Sequence, residues 1–167
     1  LVLTANTADG PQSPAYAGFE ASNTAVSFDG LKSWASFNNP PGLNTTGEIT
    51  LETWIKPNAV QGEMARIISH GPPTLCDFLA APPDGSVTNS SEVFLGLDGA
   101  GANYVVGSAS IVYTSDAEVS SDYYTASFPV PAGDLGGADW VHLVGTYDGA
   151  NWNLYRNGVQ VASTAAP

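Results

Sequence analysis

DWVHLVGTYDGANWNLYRNGVQVAST, residues 139–164, is the stretch that decides the fold. Residues 140–147 are a run of apolar, aromatic and β-branched residues, stopped by Asp148, Gly149, Ala150 and Asn151, which are turn formers. Residues 152–156 (Trp–Asn–Leu–Tyr–Arg) then return, and Asn157–Gly158 follows. A two-residue type I′ turn needs positive φ at both central positions, which Asn–Gly supplies best. Residues 159–163 close the pattern, so three consecutive antiparallel strands are predicted.

Working outward, residues 49–56 show the cleanest alternation in the chain. Ile49, Leu51, Thr53 and Ile55 share one face; Thr50, Glu52, Trp54 and Lys56 share the other, and Pro57 ends the run. Shorter strand signals occupy 24–28, 34–38, 65–69, 93–97, 104–107, 111–114 and 123–130. The acidic residues 115–122 read as a turn. Residues 72–90 contain Pro72, Pro73, Pro82, Pro83 and Gly85 and read as a long loop, and residues 1–23 as a loosely structured lead-in. No segment keeps a 3.6-residue period over three turns. Short strands punctuated by turns predict an all-β, two-sheet antiparallel jelly-roll sandwich with almost no helix.

Composition narrows the partners. The 167 residues carry 4 Lys+Arg against 16 Asp+Glu, a net charge of −12. Such a field repels phosphate backbones and anionic headgroups, which argues against nucleic acid and membrane insertion and for cations or uncharged ligands. Charged residues are only 12% of the chain, so solubility rests on Ser, Thr, Asn and Gly, a surface common on secreted or cell-surface proteins. The single Cys76 cannot form an intrachain disulfide, and no run of 18 apolar residues is present. The chain opens on Leu1 rather than Met, which reads as a mature or excised product.

Residues 139–164, together with AVSFDG (25–30), ITLETWIKP (49–57) and the 65–71 strand, resemble the laminin-G-like branch of the concanavalin A-like jelly rolls. The resemblance spans roughly 24–71 and 91–164. It implies two stacked antiparallel sheets in a family that includes carbohydrate-binding modules, pentraxin-like lectins, adhesion domains and domains appended to secreted hydrolases. The expected role is an extracellular, non-catalytic carbohydrate-binding or lectin-like module whose partner is a glycan or polysaccharide. One alternative is a structural or adhesive subunit completed by strands of a neighbouring polypeptide; a second is a glycoside hydrolase. Family members usually continue past the Asn–Gly hairpin with a further strand. The expectation is therefore one domain, 1–167, lacking its last strands, with an open sheet edge that another chain covers.

Candidate chemistry follows from residue types. Glu48 and Glu52 share a strand face at i and i+4 but lack the carboxylate pattern of jelly-roll glucanases, so no catalytic residues are expected. His70 and His142 have no nucleophile in recognisable context; His142 reads as a half-buried packing residue. Ca²⁺ needs six to eight hard oxygens, and similar domains often hold one. The sequence points first to Asp98 and Asn103, then to Asp116 and Asp122. Trp54, Trp140 and Tyr147 read as core; Tyr123, Tyr124 and Trp152, with Asn151, are the expected sugar contacts, a ring stacking on a pyranose while an amide holds hydroxyls. Asn44 and Asn89 begin glycosylation sequons in predicted loops.

Overall fold

The computed structural model describes residues 7–30, 35–36, 41–43, 47–59, 62, 65–71, 88–99, 102–113, 118–137 and 139–166. The chain divides into two compact units, Leu1–Thr46 and Gly47–Pro167. The first contains β1 (Thr7–Asp9) paired antiparallel with β2 (Thr24–Val26), and a 3-10 turn at Pro41–Leu43. The expected loose lead-in is therefore partly a strand. Its return is pinned by Asn23, whose carbonyl accepts from Gly10 N–H at 3.0 Å and from Gln12 Nε2 at 2.9 Å, while its own amide donates to the Pro11 carbonyl at 2.9 Å.

The second unit holds β3 (Ile49–Ile55), β4 (Ala65–His70), β5 (Thr88–Asp98), β6 (Asn103–Tyr113), β7 (Glu118–Pro129), β8 (Val141–Tyr147), β9 (Asn151–Arg156) and β10 (Val159–Ala165). Two four-stranded antiparallel sheets form, in the orders β10–β9–β8–β3 and β4–β5–β6–β7. Among the described residues there is no α-helix. The β8–β9–β10 meander is the one read from 139–164. Arg156 faces Val159 across Asn157–Gly158, whose φ angles are 49° and 78°, the positive pair that a type I′ turn requires. Asn157 also accepts from the His142 N–H through Oδ1 at 2.9 Å and donates its own N–H to the His142 carbonyl at 2.8 Å.

Three elements differ from the sequence reading. The two short strands expected at 104–107 and 111–114 are one strand, β6, and β7 begins at Glu118 rather than 123. Gly107, Ser108, Ala109 and Ser110 carry no apolar alternation, yet their backbone is paired to β5 on one side and β7 on the other, and ladder hydrogen bonds hold a strand there that side chains do not announce. Asn89 lies in β5, not in a loop. The 34–38 strand, but for Ala35 and Ser36, and Asn44, Cys76 and the 72–87 part of the long loop lie outside the described residues.

The core between the sheets contains Leu51, Leu95, Leu97, Tyr104, Val106, Ala126, Val141, Leu143, Trp152 and Leu154. Trp152, expected at the surface, is 2% exposed; its indole lies 5.1 Å from the Tyr147 ring, and Nε1 donates across the sandwich to Ser108 Oγ at 3.1 Å. Strand alternation explains this, because Trp152 and Leu154 are two apart and share the inward face. The sheets approach closely at Gly145, where an added Cβ would stand 2.2 Å from Val106 Cγ2.

Two carboxylate–arginine pairs complete the unit. Asp134, in a 3-10 turn (Ala132–Asp134), receives the Tyr104 hydroxyl at 2.9 Å and Arg156 Nε at 2.8 Å on Oδ2, with Arg156 Nη2 on Oδ1. This joins β6, the turn after β7, and β9. Burial, reinforced by the bond to Asp134, pushes the Tyr104 hydroxyl well above the ordinary tyrosine range, so it stays a donor. For Asp134 burial acts upward, but the bonds from Arg156 and Tyr104 outweigh it and hold the carboxyl below its usual value. On β4 and β5, Arg66 forks onto buried Glu92 at 2.8 and 2.9 Å and lies 3.6 Å above the centre of the Phe94 ring.

Two outcomes are expected. Gly145→Ala overpacks the sheet interface and lowers stability by about 1–3 kcal/mol, read as a lower thermal midpoint that Val106→Ala partly restores in the double variant. Because Asp134 titrates lower when folded than unfolded, its contribution is full above the unfolded carboxylate value, about pH 4, and is lost as pH falls through the folded value. Asp134→Asn is expected to be less stable at pH 7, by about 1–3 kcal/mol, because half-buried Arg156 loses its charge partner. Its deficit against the parent shrinks in denaturant melts below pH 4.

Candidate functional site

The alternation that sends Leu51, Val141, Leu143, Trp152 and Leu154 inward sends their neighbours to the outer face of the β10–β9–β8–β3 sheet. Register fixes which of them meet. Trp54 lies beside His142. Glu52, Val144, Tyr155 and Gln160 form the next row across all four strands, and Thr50, Thr146, Asn153 and Ser163 the row after that. One face thus presents two aromatic rings, an imidazole, a carboxylate, amides and hydroxyls.

Trp54 and His142 stack with centroids 4.7 Å apart and planes 19° from parallel. The imidazole is oriented a second time by Glu52, whose Oε1 lies 2.8 Å from Nε2. The Glu52 side chain is 60% exposed and that of His142 21%, so the carboxylate stays open to solvent while the imidazole is held between it and the indole. Trp54 and Tyr155 are half-buried. Asn153, in contrast, is 8% exposed and works as a hub: Nδ2 donates to Asp148 Oδ2 at 3.1 Å, while Oδ1 accepts from Gln160 Nε2 at 3.0 Å and Ser163 Oγ at 2.8 Å.

At one end the face runs into a shallow, open depression lined by Glu48, Ile49, Thr50, Tyr147 and Asp148. Asp148 organises the β8–β9 turn, accepting the Asn151 N–H at 2.7 Å and the Ala150 N–H at 3.0 Å. Those backbone donors, with the Asn153 amide, hold its carboxyl below the usual range.

The residues singled out in the sequence fall in several places. Asn151 is half-buried at the edge of this depression, its amide 3.4 and 3.5 Å from the Asp148 carboxylate oxygens. Trp152 is in the core, and its burial removes it from the expected sugar contacts. Tyr123 and Tyr124 sit on β7 in the other sheet, Tyr123 exposed and Tyr124 half-buried against the core. Of the calcium candidates, Asp98 and Asn103 face each other where β5 turns into β6, and Asp98 Oδ1 accepts the Gly99 N–H at 2.7 Å. Asp122 faces Ser110, seven positions along β6 from Asn103, about 23 Å at roughly 3.3 Å per residue. Asp122 is therefore too far from Asp98 and Asn103 to share an ion with them. Asp116 lies outside the described residues, among which no three His, Cys, Asp or Glu side chains gather as metal ligands. His70 is on β4, opposite Val93.

Trp54, expected in the core, lies on the outer face with Glu52, as the alternation of 49–56 puts it with Glu52 and Lys56 and opposite Ile49 and Leu51. That signal was available. The convergence of Trp54, His142, Tyr155 and Glu52 was not, since it depends on pairing between strands far apart in the chain.

A family model described as the concanavalin A-like lectin/glucanases superfamily matches residues 28–167. No curated protein and no solved structure matches the chain significantly.

Asn153→Ala strips Asp148, Gln160 and Ser163 of their shared partner and is expected to cost about 1–3 kcal/mol, measured by chemical denaturation. Asn153→Asp places a carboxylate against Asp148, so its deficit is larger at pH 7 than at pH 4.

Proposed function

Because the chain belongs to the concanavalin A-like lectin/glucanases superfamily, we propose that it is an extracellular, non-catalytic module that binds carbohydrate on the outer face of its β10–β9–β8–β3 sheet. The observation that carries this reading is the juxtaposition of Trp54, His142 and Tyr155 with Glu52, Thr146 and Gln160 on one sheet surface. A pyranose offers an apolar C–H face and a rim of hydroxyls. Outward aromatic rings receive the first, and carboxylate, amide and hydroxyl groups receive the second. The amide hub at Asn153 keeps the surface pre-organised, which lowers the entropy lost on binding.

The hydrolase alternative fits less well. Glu48 lies outside β3, which begins at Ile49, and lines the depression at the end of the face, while Glu52 sits on the strand itself. Glu52 is also engaged by His142. A structural role completed by a neighbouring chain draws on β7, twelve residues long and paired only with β6 among the described residues.

A glycan array in calcium and in chelator is expected to give saturable signal. By titration calorimetry, Trp54→Ala and Tyr155→Ala each weaken the best hit about tenfold, roughly 1.4 kcal/mol, with unchanged far-UV circular dichroism. A flat array would sink the reading. Light scattering that finds a mixed-edge oligomer, lost when Pro replaces Thr125 on β7, would favour the structural role.

A further inference from the structure

We propose that this face selects uncharged glycans and rejects acidic ones, and that Glu52 is the residue that sets the discrimination; the inference rests on the carbohydrate-binding reading above. Glu52 projects from the middle of the β3 edge of the face, between Thr50 and Trp54, with its side chain 60% exposed. Glu48 and Asp148 line the depression at the end of the same face. A glycan laid over Trp54 and Tyr155 therefore runs past carboxylates at two points.

Little stands against that charge. The chain has four basic residues, Lys32, Lys56, Arg66 and Arg156. Both arginines are consumed in pairs away from this surface: Arg156 turns inward onto Asp134, and Arg66 lies on the other sheet against Glu92 and Phe94. Lys56, one residue past β3 and in step with Glu52 and Trp54, is exposed and is the single lysine or arginine beside this face among the described residues. His142 is already engaged by Glu52. An arriving uronate or sulfate thus meets fixed negative charge with no guanidinium to receive it, inside the field of a chain carrying −12 overall. Like charges a few ångströms apart at a protein surface repel strongly enough at low salt for discrimination of about tenfold or more. An uncharged chain meets no such barrier, and the free Glu52 oxygen is an acceptor for its hydroxyls.

The test compares two probes on one backbone: the strongest neutral oligosaccharide from the array, and the same oligosaccharide oxidised to the carboxylate at C6. In 20 mM salt the parent protein is expected to bind the neutral form at least tenfold more tightly. Glu52→Gln, which keeps an oxygen for His142, narrows that ratio to about threefold or less, as does 0.5 M NaCl with the parent protein. Equal or tighter binding of the carboxylated probe by the parent, or an unchanged ratio in Glu52→Gln, overturns the proposal while leaving the carbohydrate reading intact. Binding of neither probe overturns the carbohydrate reading itself, and this inference with it.

Discussion

The sandwich depends on what crosses between its sheets. Trp152 fills the interface from β9 and hands its indole N–H to Ser108 on β6, so the largest core side chain leaves no buried donor unpaired. Close by, Gly145 lets Val106 approach to a distance that no side chain on β8 would permit. At the other end of β9, Arg156 and Tyr104 meet on Asp134. A charge buried among apolar side chains costs more than it returns unless every acceptor is used. Here both carboxylate oxygens are used, and the arrangement fixes one sheet's position on the other, which apolar contacts alone specify loosely.

That core arrangement has a consequence at the surface. A chain with so few basic residues uses both arginines as structural counter-charges, Arg156 for Asp134 and Arg66 for Glu92. The electrostatic character of the outer face is therefore set partly by side chains that never reach it. The same strands serve both purposes: inward positions of β3, β8 and β9 build the core, and the positions between them build a polar, aromatic surface. No separate loop is needed to assemble the candidate site. Ladder hydrogen bonds hold its residues at fixed spacing, and the Asn153 hub ties its lower rows to the β8–β9 turn.

Much of this architecture was legible in the residues. The Asn157–Gly158 turn, the β8–β9–β10 meander and the alternation of 49–56 are local signals with local causes: positive φ in the first, a period of two in the others. The long ladders of β5, β6 and β7 were not legible. The middle of β6, residues 107–110, is Gly, Ser, Ala and Ser, whose strand conformation is imposed by β5 and β7 on either side rather than preferred by the residues. Asn89 and Asp122, read as loop and turn residues, lie within β5 and β7 because each pairs with a residue of β6.

The sequence by itself determined the fold class and the acidic field, because composition, periodicity and turn chemistry act within a few residues of one another; the family came through the resemblance of its motifs. Only the tertiary structure decided which aromatic ring faces water. Trp152 lies near a turn yet is buried, and Trp54 lies in the strongest strand yet stands outside, because exposure follows from which sheet face meets the other sheet. Likewise, Glu52 and His142 are 90 positions apart in the chain, and only the antiparallel register of β3 on β8 brings the carboxylate to the imidazole.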